Sequence, residues 1–236
     1  MKNTYVDVRF PSGFDVDRYK DKKILIVGGG PTTKLVNWQN LDFDFIFSCN
    51  QYFECDKLKN LKVDIVSLIN RILKDTNPKL EKKLDDDKSF IAIEPYHSSM
   101  VYTHPNFKRL IEKYEDKCIF FNTGFQNKSG AAPRLAILAA SLNPKSIYMV
   151  GIDGYGNPTN KTHSFDKNLV GIRDGNSEKS INKAHMDFSV YIHKLCNNLG
   201  VELFNLGEVC LENVMSLHSK KNYPLTDKIL METKIS

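Results

Sequence analysis

The chain has 236 residues, 41% hydrophobic and 26% charged, the proportions of an ordinary soluble globular protein long enough for a sizeable core. Its net charge of +5 comes from lysines scattered among acids, which reads as a solvated face and argues against a nucleic-acid-binding surface, while leaving slight attraction to anionic ligands or a membrane face open. Five cysteines without paired spacing argue for reduced thiols in a cytoplasmic, non-secreted protein, and no apolar run reaches membrane-spanning length.

Residues 1–22 are polar with isolated aromatics and are expected to lie as an arm across the surface of an α/β domain spanning 23–210. Strands are predicted at Lys23–Val27, Phe43–Ser48, Val63–Leu68, Phe90–Ile93, Cys118–Phe121, Ser146–Val150 and Glu202–Asn205, each a short apolar run rich in β-branched or aromatic residues. Helical patterns lie at Phe107–Glu115, Ala131–Leu142 and Lys183–Leu199, the last with Phe188, Tyr191, Ile192 and Leu195 at helical spacing. Strands alternating with helices imply a Rossmann-like, mostly parallel sheet with helices on both faces and ligands held beyond the carboxyl ends of the strands. The charge run 80–89 reads as a solvated loop or helix end. The Asn-, Gly-, Ser- and Lys-rich stretch 156–182 reads as a lid, because it follows a strand whose end carries polar groups, and 211–236 reads as a tail.

The most informative segment is KILIVGGGPTT, residues 23–33, where a buried strand breaks into glycines. Gly28, Gly29 and Gly30 allow a sharp turn, Pro31 suits a first helical turn, and Thr32 or Thr33 can cap it. A strand entering a helix through glycines places free N–H groups where a phosphate can sit, which predicts a nucleotide site. The second predicted strand ends in the amides Asn50 and Gln51 rather than an acid, which disfavours NAD and suits contact with phosphate or base. Asn70 is another amide near a strand end. Ser129 and Gly130 precede the helix starting near Ala131, with Lys128 and Arg134 as nearby cations. The strand Ser146–Val150 ends in Gly151, Asp153 and Tyr155, at an edge where α/β enzymes place working groups.

Of the six histidines, His97, His104, His193 and His218 read as structural, whereas His163 in the lid and His185 just after it are each suited to general-base work. The sequence carries no histidine pair or cysteine cluster with metal-ligand spacing, no Walker lysine and no nucleophile elbow, so no metal or cofactor is expected.

The blocks ILIVGGGPTT, FDFIFSCNQYFE and LAILAASLNPKSIYMVGIDGYG, in that order, resemble the bacterial lipooligosaccharide sialyltransferases that use CMP-sialic acid. The resemblance implies one nucleotide-binding α/β domain with a lid, no required metal, and inverting transfer from a CMP-activated sugar to a hydroxyl of a glycan acceptor. By position, Gly28 and Gly30 would face the CMP phosphate and ribose, Asn50 and Asn70 would contact the nucleotide, and Ser129 and Gly130 would lie near cytosine and ribose. Tyr155 would hydrogen-bond the leaving phosphate, and the family's base histidine falls close to His185. Gly29 stands where the family has asparagine, Lys128 near its arginine, and His163 at or beside its second phosphate-binding tyrosine. A wider set, the flagellin-glycosylating accessory proteins and hydroxymethylpterin pyrophosphokinases, shares the glycine turn, the Gly-x-Asp strand end and a Thr-His pair like Thr162-His163. It implies pyrophosphoryl transfer with a divalent cation as the alternative activity. A non-catalytic nucleotide-binding module is a third, and self-association is left open.

Overall fold

A computed structural model describes residues 6–68, 77–95, 104–124, 130–152, 165 and 178–206, with only the backbone at Leu35 and 178–186. The sheet has eight strands: β1 (Asp7–Arg9), β2 (Lys23–Val27), β3 (Phe45–Cys49), β4 (Ile65–Ser67), β5 (Phe90–Ile93), β6 (Cys118–Asn122), β7 (Ser146–Val150) and β8 (Glu202–Asn205). Their order is β1-β6-β5-β4-β3-β2-β7-β8, and every neighbouring pair is parallel except β1 with β6. The described helices are α1 (Thr32–Leu35), α2 (Pro78–Asp87), α3 (Pro105–Lys113), α4 (Ala131–Ser141) and α5 (Glu178–Leu199). The central strands are buried on both faces, which is why they read as unbroken apolar runs: Ile24 to Val27 of β2 are wholly inaccessible. Alanines let α4 approach the sheet closely, and it packs on β2, β3, β4 and β7 with α5 beside it.

Three expectations need correction. The arm is partly built into the sheet: β1 pairs antiparallel with β6, and the following aromatics cover the amino ends of the parallel strands. Phe14 meets Phe90 edge-on at 4.8 Å, and fully buried Tyr19 lies 4.6 Å from Phe45. The charge run 80–89 belongs to α2, whose Asn77 cap accepts from the Lys79 and Leu80 amides at 3.1 and 3.2 Å and whose Pro78 sits in its first turn. Its inner face holds Leu80, Leu84 and Asp87, the carboxylate of Asp87 accepting from the Val63 amide at 3.0 Å and pairing with Lys83 at 2.9 Å. The third correction concerns the lid: α5 begins at Glu178, so its last residues are helical, and Phe165 within it is buried in the core. The remainder of 156–177, and the tail 211–236, lie outside the described residues. Among the described residues no helix is long and apolar enough to cross a membrane.

Cys49, Cys55, Cys118 and Cys196 are buried free thiols, and Cys210 lies outside the described residues. Burial pushes Cys49, Cys118 and Cys196 up to about 12. An unfolded chain releases these protons near pH 8.5, so between there and the folded values the native state binds more protons, and stability falls as pH rises. Above the unfolded value each thiol loses up to about 1.4 kcal/mol for every pH unit, and the three losses add. A urea-unfolding midpoint that drops over this range is expected; a flat one would mean the thiols are accessible to water.

Candidate functional site

Strand β2 has β3 on one side and β7 on the other, and the chain reaches β7 only after building the sheet outward to β6. The direction of winding therefore reverses between β2 and β7, and the crevice this creates opens at their carboxyl ends. Two glycine turns meet there and interlock. The Gly28 amide donates to the Val150 carbonyl at 2.7 Å and the Gly30 amide to the Gly151 carbonyl at 2.8 Å. In return the Gly151 amide donates to Thr32 Oγ1 at 2.9 Å, and Thr33 Oγ1 donates to the Gly28 carbonyl at 2.7 Å. Contact is so close that a Cβ on Gly28 would lie 2.4 Å from the Gly151 oxygen. A Cβ on Gly151, whose φ is +70°, would lie 2.1 Å from Thr33 Oγ1. Close packing of the two backbones requires glycine at both positions, and at Gly151 the positive φ requires it as well.

This geometry revises the expected anion cradle. Two of its three amides, those of Gly28 and Gly30, are spent on the β7 turn, which leaves Gly29 as the amide not engaged with a described residue. Thr32 and Thr33 do not cap α1; their hydroxyls join the turns, and Pro31 holds the cap position with no side-chain bond. Helix α1 is a single turn, closed by the Trp38 indole N–H on the Thr33 carbonyl at 2.9 Å, so it carries too few aligned peptides for a useful dipole.

Asn50 follows β3 in the left-handed region at φ +50°, its amide donating to the Ser67 carbonyl at 3.0 Å. Register pairs Val27 with Ser48, and the Ser48 hydroxyl donates to the Val27 carbonyl at 2.8 Å. Asn50 and Gly29 therefore stand at matching heights past adjacent strand ends. Asparagine adopts this left-handed conformation more readily than most residues, as Asn143 also does at φ +55°. Gln51 is half-buried at the start of the turn Tyr52–Glu54. Gly130 sits at the N-cap of α4 with φ +90°, on the same edge of the sheet, because α4 runs back from the carboxyl end of β6.

Arg134, read from sequence as a cation available to a ligand, has another role. It is buried in the first turn of α4 with its guanidinium paired to Glu94, which follows β5, and bonded to the Thr123 hydroxyl at 3.1 Å. The Thr123 amide and hydroxyl both donate to Glu94 Oε1, at 2.8 and 2.6 Å. Sequence reasoning missed Glu94 and Thr123; the available signal was an acid and a hydroxyl ending two apolar strands. Of the remaining site candidates, Asn70, Ser129, Asp153, Tyr155 and His163 lie outside the described residues, and His185 is placed on α5 by its backbone alone. Among the described residues no cluster of His, Cys, Asp or Glu could hold a metal ion.

No protein-family model and no curated protein matches the chain. Solved structures do. The chain is similar to the Campylobacter jejuni sialyltransferase CstII in complex with a substrate analogue, cytidine-5′-monophosphate, at TM-score 0.55 and 20% identity over 83% of this chain and 84% of that one. It is similar to the monofunctional α-2,3-sialyltransferase Cst-I from the same organism at TM-score 0.59 and 16% identity, over 89% of this chain and 83% of that one. CstII in complex with CMP-3FNeuAc matches at TM-score 0.55 and 19% identity, over 78% and 81% of the two chains. The chain has the fold of these sialyltransferases. At such identities the likeness is one of architecture: a mostly parallel α/β sheet, as the sequence pattern predicts, in a match that covers 83% of this chain and 84% of the CMP-bound one.

Proposed function

We propose that this protein is a glycosyltransferase that moves sialic acid, or a related nonulosonic sugar, from a CMP-activated donor to a glycan hydroxyl with inversion and without a metal. The observation that carries the proposal is the fold shared with a sialyltransferase bound to cytidine-5′-monophosphate, together with three sequence blocks whose described residues Gly28, Asn50 and Gly151 follow the strand ends that border the crevice. In this reading the Gly29 amide and Asn50 hold the nucleotide on one side of the switch point, Gly130 approaches it at the start of α4, and Ser129 supplies a further contact. An imidazole, of His185 or His163, takes the proton from the acceptor hydroxyl. The acceptor oxygen then bonds to the anomeric carbon as the bond from that carbon to the phosphate oxygen breaks, and CMP leaves with the electron pair. Tyr155 donates to that oxygen as its charge grows. The buried thiols fit a cytoplasmic site of action, and contact with a membrane face would bring a lipid-linked glycan acceptor within reach.

A thermal-shift panel of CMP, CDP, UDP, ATP and NAD, each with and without Mg²⁺, tests the donor. CMP at a hundred times its dissociation constant stabilises the folded form by about 2.7 kcal/mol, a rise of roughly 5–10 °C for a chain of this size. That rise should not depend on Mg²⁺. A preference for Mg-ATP would overturn the proposal in favour of pyrophosphoryl transfer. With a donor identified, His185→Gln and His163→Gln assign the base: one of them loses about 10²–10⁴-fold in turnover while still binding CMP. If both retain full turnover, neither imidazole is the base.

A further inference from the structure

Among the ion pairs of the described residues, Arg134–Glu94 is the one with both side chains fully buried, each 1% exposed. Those at the amino edge of the sheet differ: Asp64 pairs with Arg18 and Lys62, which reach solvent, and Asp87 pairs with partly exposed Lys83. A buried pair is a poor stabiliser, because apolar side chains of similar volume do as well, so its worth lies in the geometry it specifies. Here that geometry is unusual. One carboxylate grips both sides of the connection between β6 and α4: Thr123 where the strand has ended, and Arg134 where the helix begins. Thr123 also links the two directly, its hydroxyl donating to Glu94 and accepting from Arg134. The Tyr191 hydroxyl of α5 reaches the Thr123 carbonyl at 3.5 Å, so the helix that carries His185 leans on the same point.

We infer that Glu94 is a positioning residue for the nucleotide site: by holding Thr123 and Arg134 together it fixes the first turn of α4, and with it Gly130, at the edge of the crevice. Glu94 is itself buried and acts only through these neighbours. The inference rests on the CMP-donor reading for the identity of the ligand, but the clamp itself does not depend on it. Loosening a clamp that presents binding groups weakens ground-state binding, because the ligand must then order them itself.

Two variants test this while sparing the fold. Thr123→Val keeps the shape and removes the hydroxyl link; Glu94→Gln with Arg134→Met removes both charges together and leaves an amide oxygen for the Thr123 N–H. Expected for each are faster hydrogen exchange at the start of α4, a CMP dissociation constant and donor KM raised about 10-fold, and kcat held within about 3-fold. Thr123→Ser, which retains the hydroxyl, should restore wild-type values. Wild-type exchange and wild-type CMP affinity in both variants would overturn the inference, as would an unselective fall in kcat with KM unchanged. If the wild-type protein fails to bind CMP, the donor reading falls and exchange at α4 alone decides the clamp: acceleration supports it, and unchanged exchange refutes it.

Discussion

A Gly151→Ala variant should unfold about 3 kcal/mol more easily than the wild type and lose the thermal response to CMP that the proposed function predicts. Two terms add. The residue sits at φ +70°, where a side chain costs about 1–2 kcal/mol against the carbonyl that follows it. The new methyl would also stand 2.4 Å from the Gly28 oxygen and 2.1 Å from Thr33 Oγ1. Neither neighbour is the end of a flexible chain: one is backbone, and the other is held by its bond to the Gly28 carbonyl. Overpacking of this kind costs about 1–3 kcal/mol, and relief requires the β2 and β7 turns to part. Gly200 provides the control, since it has the same φ of +70° with open space where its Cβ would be. Gly200→Ala should show the conformational term alone, about 1–2 kcal/mol, and leave the CMP response expected from the proposed function unchanged. Equal losses in urea unfolding for the two variants would mean that the turns do not interlock.

The same junction shows what a sequence can and cannot disclose. Strands β2, β5, β7 and β8 fall where their apolar runs predict, because a parallel strand covered on both faces must be apolar throughout and its ends are where that requirement stops. β1 escaped notice because three residues are too few to show a period. α2 did so because much of its sequence is charge, its inner face resting on Leu80, Leu84 and a buried aspartate. The edge of the sheet on which the glycines, Asn50 and Gly130 gather was foreseeable, since chain order alone dictates right-handed crossovers and a switch point. Hydrogen-bond partners were not. Local pattern offers Gly28 and Gly30 as permissive, yet gives no hint that their amides are claimed by residues more than a hundred positions away. Arg134 is a sharper case: its type and its place near a helix start suit an anion ligand, and only tertiary folding brings Glu94 against it across 40 residues of sequence.

That non-local pairing leads to the second large effect. Arg134→Met alone should destabilise the protein by about 3–5 kcal/mol, because it strands the Glu94 carboxylate, 1% exposed, without its counter-charge. Thr123 supplies two donors to one carboxylate oxygen, which lessens the loss without cancelling the charge. Glu94→Gln alone should be nearly as harmful, since it strands the guanidinium in the same place. Combining the two removes both charges while keeping volume, so the double variant should return to within about 1–2 kcal/mol of the wild type. A double-mutant cycle by urea unfolding measures this directly, and a strongly non-additive result is expected. Additive losses would show that water reaches the pair and that the two groups act separately. The distinction bears on function as well as stability: a charge pair that can be exchanged for neutral groups at little thermodynamic loss is kept for the arrangement it imposes, and the arrangement imposed here is the approach of α4 to the crevice.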